Sequence, residues 1–182
     1  MMLAAASGIQ AQQPYSGCWF PDDIINWSPE TDPDAKFNRS RIPLSPRFTE
    51  PELMKAHAGQ SYTAYVETAT ITNKMCSLMP SQGDNNFLGY QPTYWQYLEK
   101  FVNWGGAGNE GIFVLPPAGT IDAAHLNGVK ILGQLFFMPR TIGGRDSWIE
   151  AMLTKVDGKY PYAVKMYEIA KYFGFDGWFI NK

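Results

Sequence analysis

Apolar and polar positions follow two regimes along this chain. From Pro14 to about Pro51, Pro, Asp, Asn and Arg are frequent and apolar residues are scattered without a period, as in Trp27-Ser28-Pro29-Glu30-Thr31-Asp32-Pro33-Asp34. That pattern predicts an extended leader over 14–60, pinned to a domain at 61–182 by its aromatic side chains. Beyond the leader, short apolar runs alternate with helical spacing. Tyr62 to Thr72 is rich in aromatic and β-branched residues and predicts a strand. Thr93-Tyr-Trp-Gln96 has the form of a capping box and predicts a helix with Trp95, Leu98, Phe101 and Val102 on one face, stopped at Gly105-Gly106. Gly111-Ile-Phe-Val-Leu115, closed by Pro116-Pro117, predicts a strand buried on both faces.

Thr120 is placed to cap a helix ending at Asn127-Gly128, and Val129 to Met138 predicts another buried strand, with a bulge or close approach at Gly133. Ser147-Trp-Ile-Glu150 reads as a second capping box ahead of Trp148, Ile149, Met152, Leu153 and Val156 at helical spacing. Pro161 suits the first turn of a helix that faces Ala163, Met166, Ala170 and Phe173 inward and ends at Gly174. A last strand starts at Gly177-Trp-Phe-Ile180. Four strands separated by helices, with no hairpin signal, predict parallel pairing through right-handed crossovers. A doubly wound sheet and half of a closed barrel both satisfy that order.

Length narrows the second option. The chain has 182 residues, and a closed eight-stranded β/α barrel takes about 250. Hydrophobic residues at 45% and charged residues at 18% are a globular composition, and a net charge of −2 from 15 Lys+Arg and 17 Asp+Glu, with no basic run, argues against a nucleic-acid or anionic-membrane partner. No segment reaches the roughly 20 apolar residues of a membrane span. His57 and His125 lie far apart, and Cys18 and Cys76 have no metal-ligand spacing, so no metal or redox cofactor is expected. Nothing in the sequence shows that the two cysteines meet. Residues 1–13, apolar and small up to Ala11, resemble the end of a secretory signal peptide without its basic region. They predict a secreted or periplasmic protein, with a cytoplasmic one as the alternative.

The run Phe175-Asp176-Gly177-Trp178-Phe179-Ile180-Asn181-Lys182 resembles the endo-β-N-acetylglucosaminidases of glycoside hydrolase family 85. In chain order, so do Tyr94-Trp-Gln-Tyr97, Trp104-Gly-Gly106, Pro116-Pro117, Ala124-His-x-Asn-Gly128 and Val129-x-Ile-Leu-Gly133. The resemblance runs from about Tyr62 to Lys182. It implies a TIM (β/α)8 barrel of which about the first four β/α units are present, an enzyme that needs no cofactor, and an N-linked glycan or glycoprotein as its partner. The family's fourth strand ends in Asn-x-Glu, which places the Asn at Asn181 and x at Lys182, with the glutamate expected at the next position.

Residues two apart on a strand share a face, so that Asn and Glu would both project at the carboxyl-end mouth of a barrel. By resemblance, Asn181 orients the substrate's 2-acetamido group while its oxygen acts as nucleophile, and the glutamate protonates the leaving sugar and then activates water. An amide suits a group that accepts and donates hydrogen bonds at once. Read without the resemblance, Asn181 is a loop-capping asparagine. Aromatic residues are 15% of the chain, and sugars stack their C–H faces on such rings. Trp104 and Phe137 resemble the family's substrate-contacting aromatics, with core packing the other reading of each. Tyr94, Trp95 and Tyr97 read as core or helix–barrel packing, His125 as a packed or helix-terminal histidine, and Asp176 and Gly177 as turn residues, Asp176 being at most a minor site candidate. A catalytically silent glycan-binding module is the alternative function, and a half barrel with unpaired edge strands that lacks a stable fold of its own is a third reading.

Overall fold

The computed structural model describes residues 14–47, 63–67, 80–82, 92–105 and 110–182. Its strands are β1 (Cys18–Trp19), β2 (Thr63–Glu67), β3 (Lys100–Trp104), β4 (Phe113–Val114), β5 (Lys130–Phe136) and β6 (Gly177–Asn181). The helices are α1 (Pro21–Asn26), α2 (Ala118–Leu126), α3 (Asp146–Leu153) and α4 (Pro161–Phe173). β2, β3, β5 and β6 run parallel: β3 pairs with β2 and β5, and β6 pairs with the other edge of β5. β4 is antiparallel to β5, and β1 of the leader is antiparallel to β4.

Two expectations fail here. The residues read as a helix from Thr93 form a single 3-10 turn, Trp95–Tyr97, followed by β3. Lys-Phe-Val-Asn-Trp favours a pleated surface, and flanking parallel partners supply backbone hydrogen bonds that an isolated aromatic-rich helix turn cannot match. The second concerns 111–115. The segment is fully buried as expected, yet only Phe113–Val114 pairs as a strand, and it runs antiparallel. Its outer backbone groups bond to the leader instead, through Ile112 N–H to Trp19 O at 2.9 Å and Leu115 N–H to Gly17 O at 2.8 Å. The parallel set therefore numbers four, as read from the sequence, with β3 in the place assigned to 111–115.

Helix ends differ in detail. α2 begins at Ala118 behind Pro117 and α3 at Asp146 behind Arg145, neither with a side-chain cap, so Thr120 and Ser147 lie inside their helices. α3 ends at Leu153, and Val156 is exposed in the following turn. α4 ends as expected on Gly174 at φ 88, a left-handed position that favours glycine; of its predicted inward residues Ala170 and Phe173 are buried, Met166 is half-buried and Ala163 is exposed. Gly133 sits in a continuous register rather than a bulge, and a Cβ there would come within 3.0 Å of the Val114 carbonyl and 3.1 Å of the Phe175 and Trp178 rings. Close approach is the reason for the glycine.

The core lies between the sheet and its helices. Phe101, Ile131 and Leu135 pack there with Ile121 and Ala124 of α2 and Ile169 and Phe173 of α4. Trp27 of the leader joins them, stacking on Trp19 at 5.8 Å and meeting Phe173 at 5.2 Å. The leader is thus pinned by aromatics as its composition suggested. Cys18 is disulfide-bonded, a pairing that the sequence did not reveal; Cys76 lies outside the described residues, as do His57 and most of the strand predicted at Tyr62 to Thr72.

Candidate functional site at the strand ends

Register and alternation decide which side chains share a face. Because Val102 lies opposite Leu132, and Gln134 and Phe136 lie opposite Phe179 and Asn181, the side chains of Trp104, Gln134, Phe136, Phe179 and Asn181 stand on one face of the sheet. The opposite face carries Phe101, Ile131 and Leu135 into the helical layer, and the Trp178 indole N–H donates to the Met166 carbonyl of α4 at 2.9 Å. Trp104, Phe136 and Asn181 end β3, β5 and β6, so they gather at the carboxyl ends of parallel strands.

The Trp104 ring lies 6.3 Å from Phe136 and 6.0 Å from Phe179 between centroids. Asn181 is half-buried, and its backbone carbonyl accepts the Phe137 N–H at 2.8 Å. Its side-chain amide is committed to no other described residue. One layer deeper, the fully buried Gln134 accepts the Gly105 N–H on its Oε1 at 2.8 Å, which fixes the amide orientation and leaves Nε2 without a partner. The result is an apolar, aromatic-walled floor with two amides, the type of surface that meets a sugar's C–H faces and its hydroxyl or acetamido groups.

Of the residues singled out in the sequence, Asn181 and Trp104 come together on this face. Phe137 is half-buried just past β5 and is tied to Asn181 through the backbone. Phe136 and Phe179 complete the aromatic group and were not foreseen; only the register of β5 on β6 identifies them. Tyr94 is exposed, contrary to its core reading, whereas Trp95 packs on Phe101 with centroids 5.3 Å apart; the Tyr97 side chain lies outside what is described.

His125 is packed. Buried at the end of α2, it places Nδ1 2.7 Å from the Ile42 carbonyl and Nε2 3.0 Å from Asp176 Oδ2. The same oxygen accepts the Ile131 N–H at 2.8 Å. Asp176 is therefore a clamp between the leader, β5 and the start of β6. Among the described residues, no three His, Cys, Asp or Glu side chains gather to hold a metal ion, and no helix is long and apolar enough to cross a membrane.

Parallel strands backed by helices, with an amide and aromatic rings at their carboxyl ends, have the organisation of a glycoside hydrolase domain. A solved structure of that class, the Spr0440 glycoside hydrolase domain, Endo-D, from Streptococcus pneumoniae R6, superposes with a TM-score of 0.74 at 28% identity, over 94% of this chain and 26% of that one. The chain belongs to glycosyl hydrolase family 85, whose model matches residues 72–182. Among curated relatives, cytosolic endo-beta-N-acetylglucosaminidase 1 of Arabidopsis thaliana is 30% identical over 80% of this chain, and the cytosolic endo-beta-N-acetylglucosaminidase of Gallus gallus is 26% identical over 88%. The chain spans about a fifth of their length, 19% and 20% respectively.

Proposed function

We propose that this chain forms the first four β/α units of the catalytic (β/α)8 barrel of an endo-β-N-acetylglucosaminidase, which hydrolyses the β-1,4 bond in the N,N′-diacetylchitobiose core of N-glycans. The supporting observation is the placement of Asn181: it ends the parallel strand β6, on the same face as Trp104, Phe136 and Phe179, with its side-chain amide bonded to no other described residue. The mechanism is substrate-assisted retention. The oxygen of the 2-acetamido group attacks the anomeric carbon as the glycosidic bond breaks, giving an oxazolinium whose positive charge spreads over the amide that Asn181 holds. A glutamate two residues after Asn181 donates its proton to the departing sugar oxygen, then takes one from the water that opens the oxazolinium. Trp104 stacks on the substrate beside this centre, with Phe137 at its margin.

The test is chemical. The protein carrying this chain with the rest of its barrel should cleave a chitobiose-core glycan and leave untouched an analogue whose cleaved residue bears a hydroxyl in place of the acetamide. Turnover of the analogue at a comparable rate would refute substrate assistance, and a non-acidic residue two positions after Asn181 would remove the proton donor.

For location, we infer the cytoplasm, the alternative to export, because the relatives bear the name cytosolic. The disulfide at Cys18 argues the other way, since such bonds persist mainly in oxidising compartments. Alkylation and peptide mapping of protein taken directly from its cells decides the point: Cys18 and Cys76 both alkylated before reduction support the cytoplasm, and a Cys18–Cys76 disulfide overturns it.

A further inference from the structure

β3 parts from β5 before it ends. Their parallel register runs from Lys100 opposite Lys130 to Val102 opposite Leu132, and beyond it β4 occupies the same edge of β5, at Gln134 and Leu135. Asn103 and Trp104, the last residues of β3, keep their pairing with β2, opposite Val66 and Glu67, but lie past the ladder with β5. Among the described strands, the backbone that carries the Trp104 indole is therefore paired along one edge alone.

Gln134 spans the gap with its side chain. Its Oε1 accepts the Gly105 N–H at 2.8 Å, a bond from the middle of β5 to the residue directly after Trp104, and both Gln134 and Gly105 are buried. The other half of the amide is unused, since Nε2 has no partner among the described residues. A buried donor left unpaired costs stability, and a methionine, close to glutamine in size, would fill the position without one. Packing alone thus does not call for an amide here. The Gly105 N–H does.

We propose that Gln134 is a positioning residue for the sugar-binding face: its Oε1 stands in for the missing rung between β3 and β5, fixes the chain at Gly105, and through it sets the Trp104 indole beside Phe136 and Phe179. The inference rests on the reading of this face as the glycan site. Gln134 is fully buried and does not itself touch the sugar, so it acts through Trp104. Trp104 is only half-buried and is the last residue of its strand, which leaves the orientation of the ring to the backbone that bears it. A ring that stacks on a substrate has to be held within about 0.5 Å of its productive place by groups that are themselves locked, and a buried amide between two ring-bearing strand ends meets that need.

One arm of the experiment needs no turnover. In the full chain labelled with fluorotryptophan, the fluorine resonance of Trp104, assigned by its absence from Trp104→Phe, should move or broaden in Gln134→Met while those of Trp19 and Trp27 in the leader stay in place. The urea midpoint should change little, because the substitution orphans the Gly105 N–H and removes the orphaned Nε2 together. In the complete protein, Gln134→Met should raise KM on a chitobiose-core glycan several-fold with kcat within about twofold of the parent, and should raise KM no further in a Trp104→Ala background. A Trp104 resonance that stays in place, a lowered midpoint with KM unchanged, or additive effects of the two substitutions overturns the proposal. If the complete parent protein cleaves no such glycan, the hydrolase reading fails, and the fluorine spectrum still judges the anchor. Should Gln134→Met not fold, amide exchange in the unaltered chain decides: a Gly105 N–H protected by about a hundredfold or more supports the anchor, and one that exchanges as a free glycine amide overturns it.

Discussion

The two ends of β6 are built to opposite standards. At its start, Asp176 serves His125 and the Ile131 amide with one carboxylate oxygen, while the same histidine reaches the Ile42 carbonyl of the leader. At its finish, five residues later, the Asn181 side-chain amide bonds to no other described residue on a face shared with Trp104, Phe136 and Phe179, and the buried Gln134 holds an unused N–H donor. At the start of β6 the polar groups tie layers together, whereas at its finish the Gln134 amide is only half used. In β/α enzymes this is the division of labour between the amino end of the strands, which stabilises, and the carboxyl end, which reacts. Substitutions at the two ends should therefore separate into losses of fold and losses of rate.

The largest effect is expected at the reactive end. Asn181→Ala in the complete protein should lower kcat on a chitobiose-core glycan by about 10²–10³-fold, the range seen when one donor to a developing charge is removed, with the unfolding midpoint unchanged. Steady-state kinetics together with a urea melt checks both halves. A loss of stability without loss of rate would reverse the assignment of the two ends.

Next comes the clamp. Asp176→Ala leaves the Ile131 N–H and a ring nitrogen of the buried His125 without their acceptor, at about 1–3 kcal/mol for each buried group, so a total near 3 kcal/mol is expected. Urea unfolding of the chain measures it, and kcat of the complete protein, assayed at a temperature where the variant stays folded, should remain within a few-fold of the parent. A stability change below half a kcal/mol would show that the leader and β6 are held by packing alone.

Much of this contrast could be read from the residues, for reasons that differ by end. Asn181 and Trp104 were recognisable because family resemblance acts on local motifs, and both stand in such motifs. Phe136 and Phe179 were missed because their membership depends on the offset between β5 and β6, which no local pattern encodes. Phe136 and Phe137 look alike in sequence, and only pairing distinguishes the side that faces Asn181. β3 was misread because apolar residues at 95, 98, 101 and 102 fit a helical stripe as well as they fit a turn followed by a strand. The clamp was half visible: His125 read as a packed residue, but its partners Ile42 and Asp176 are 83 and 51 residues away. Nothing local in the leader indicates the cleft that its acidic residues line, because Phe173, which completes that wall, is more than a hundred residues away.

A smaller change is expected at Trp104. Trp104→Ala removes the ring that meets both Phe136 and Phe179, and with it a stacking contribution of about 0.5–1.5 kcal/mol, or up to about tenfold in KM for the complete protein, with less effect on kcat. Phe137→Ala, past the strand end, should act more weakly. If Phe137 proves the costlier substitution, the substrate lies over the loop after β5 rather than over the rings on the sheet face.

The smallest effect probes the leader's hold on the helical layer. Burial raises the Tyr162 phenol above its ordinary value, and the Asp22 carboxylate of α1 adds to the rise. Because folding disfavours the ionised phenol, its stabilising contribution is complete below the unfolded phenol's range and is lost as pH climbs through that range to the raised folded value. Asp22→Asn removes the lesser cause and keeps the greater, so tyrosinate absorbance should show the Tyr162 titration moving part of the way back, with Tyr162→Phe identifying its share of the signal. A titration unmoved by Asp22→Asn would mean that the α1 carboxylate is fully screened by solvent, and that α1 rests on α4 through contacts such as Trp27 on Phe173 and the Lys165 ammonium on the Trp27 carbonyl.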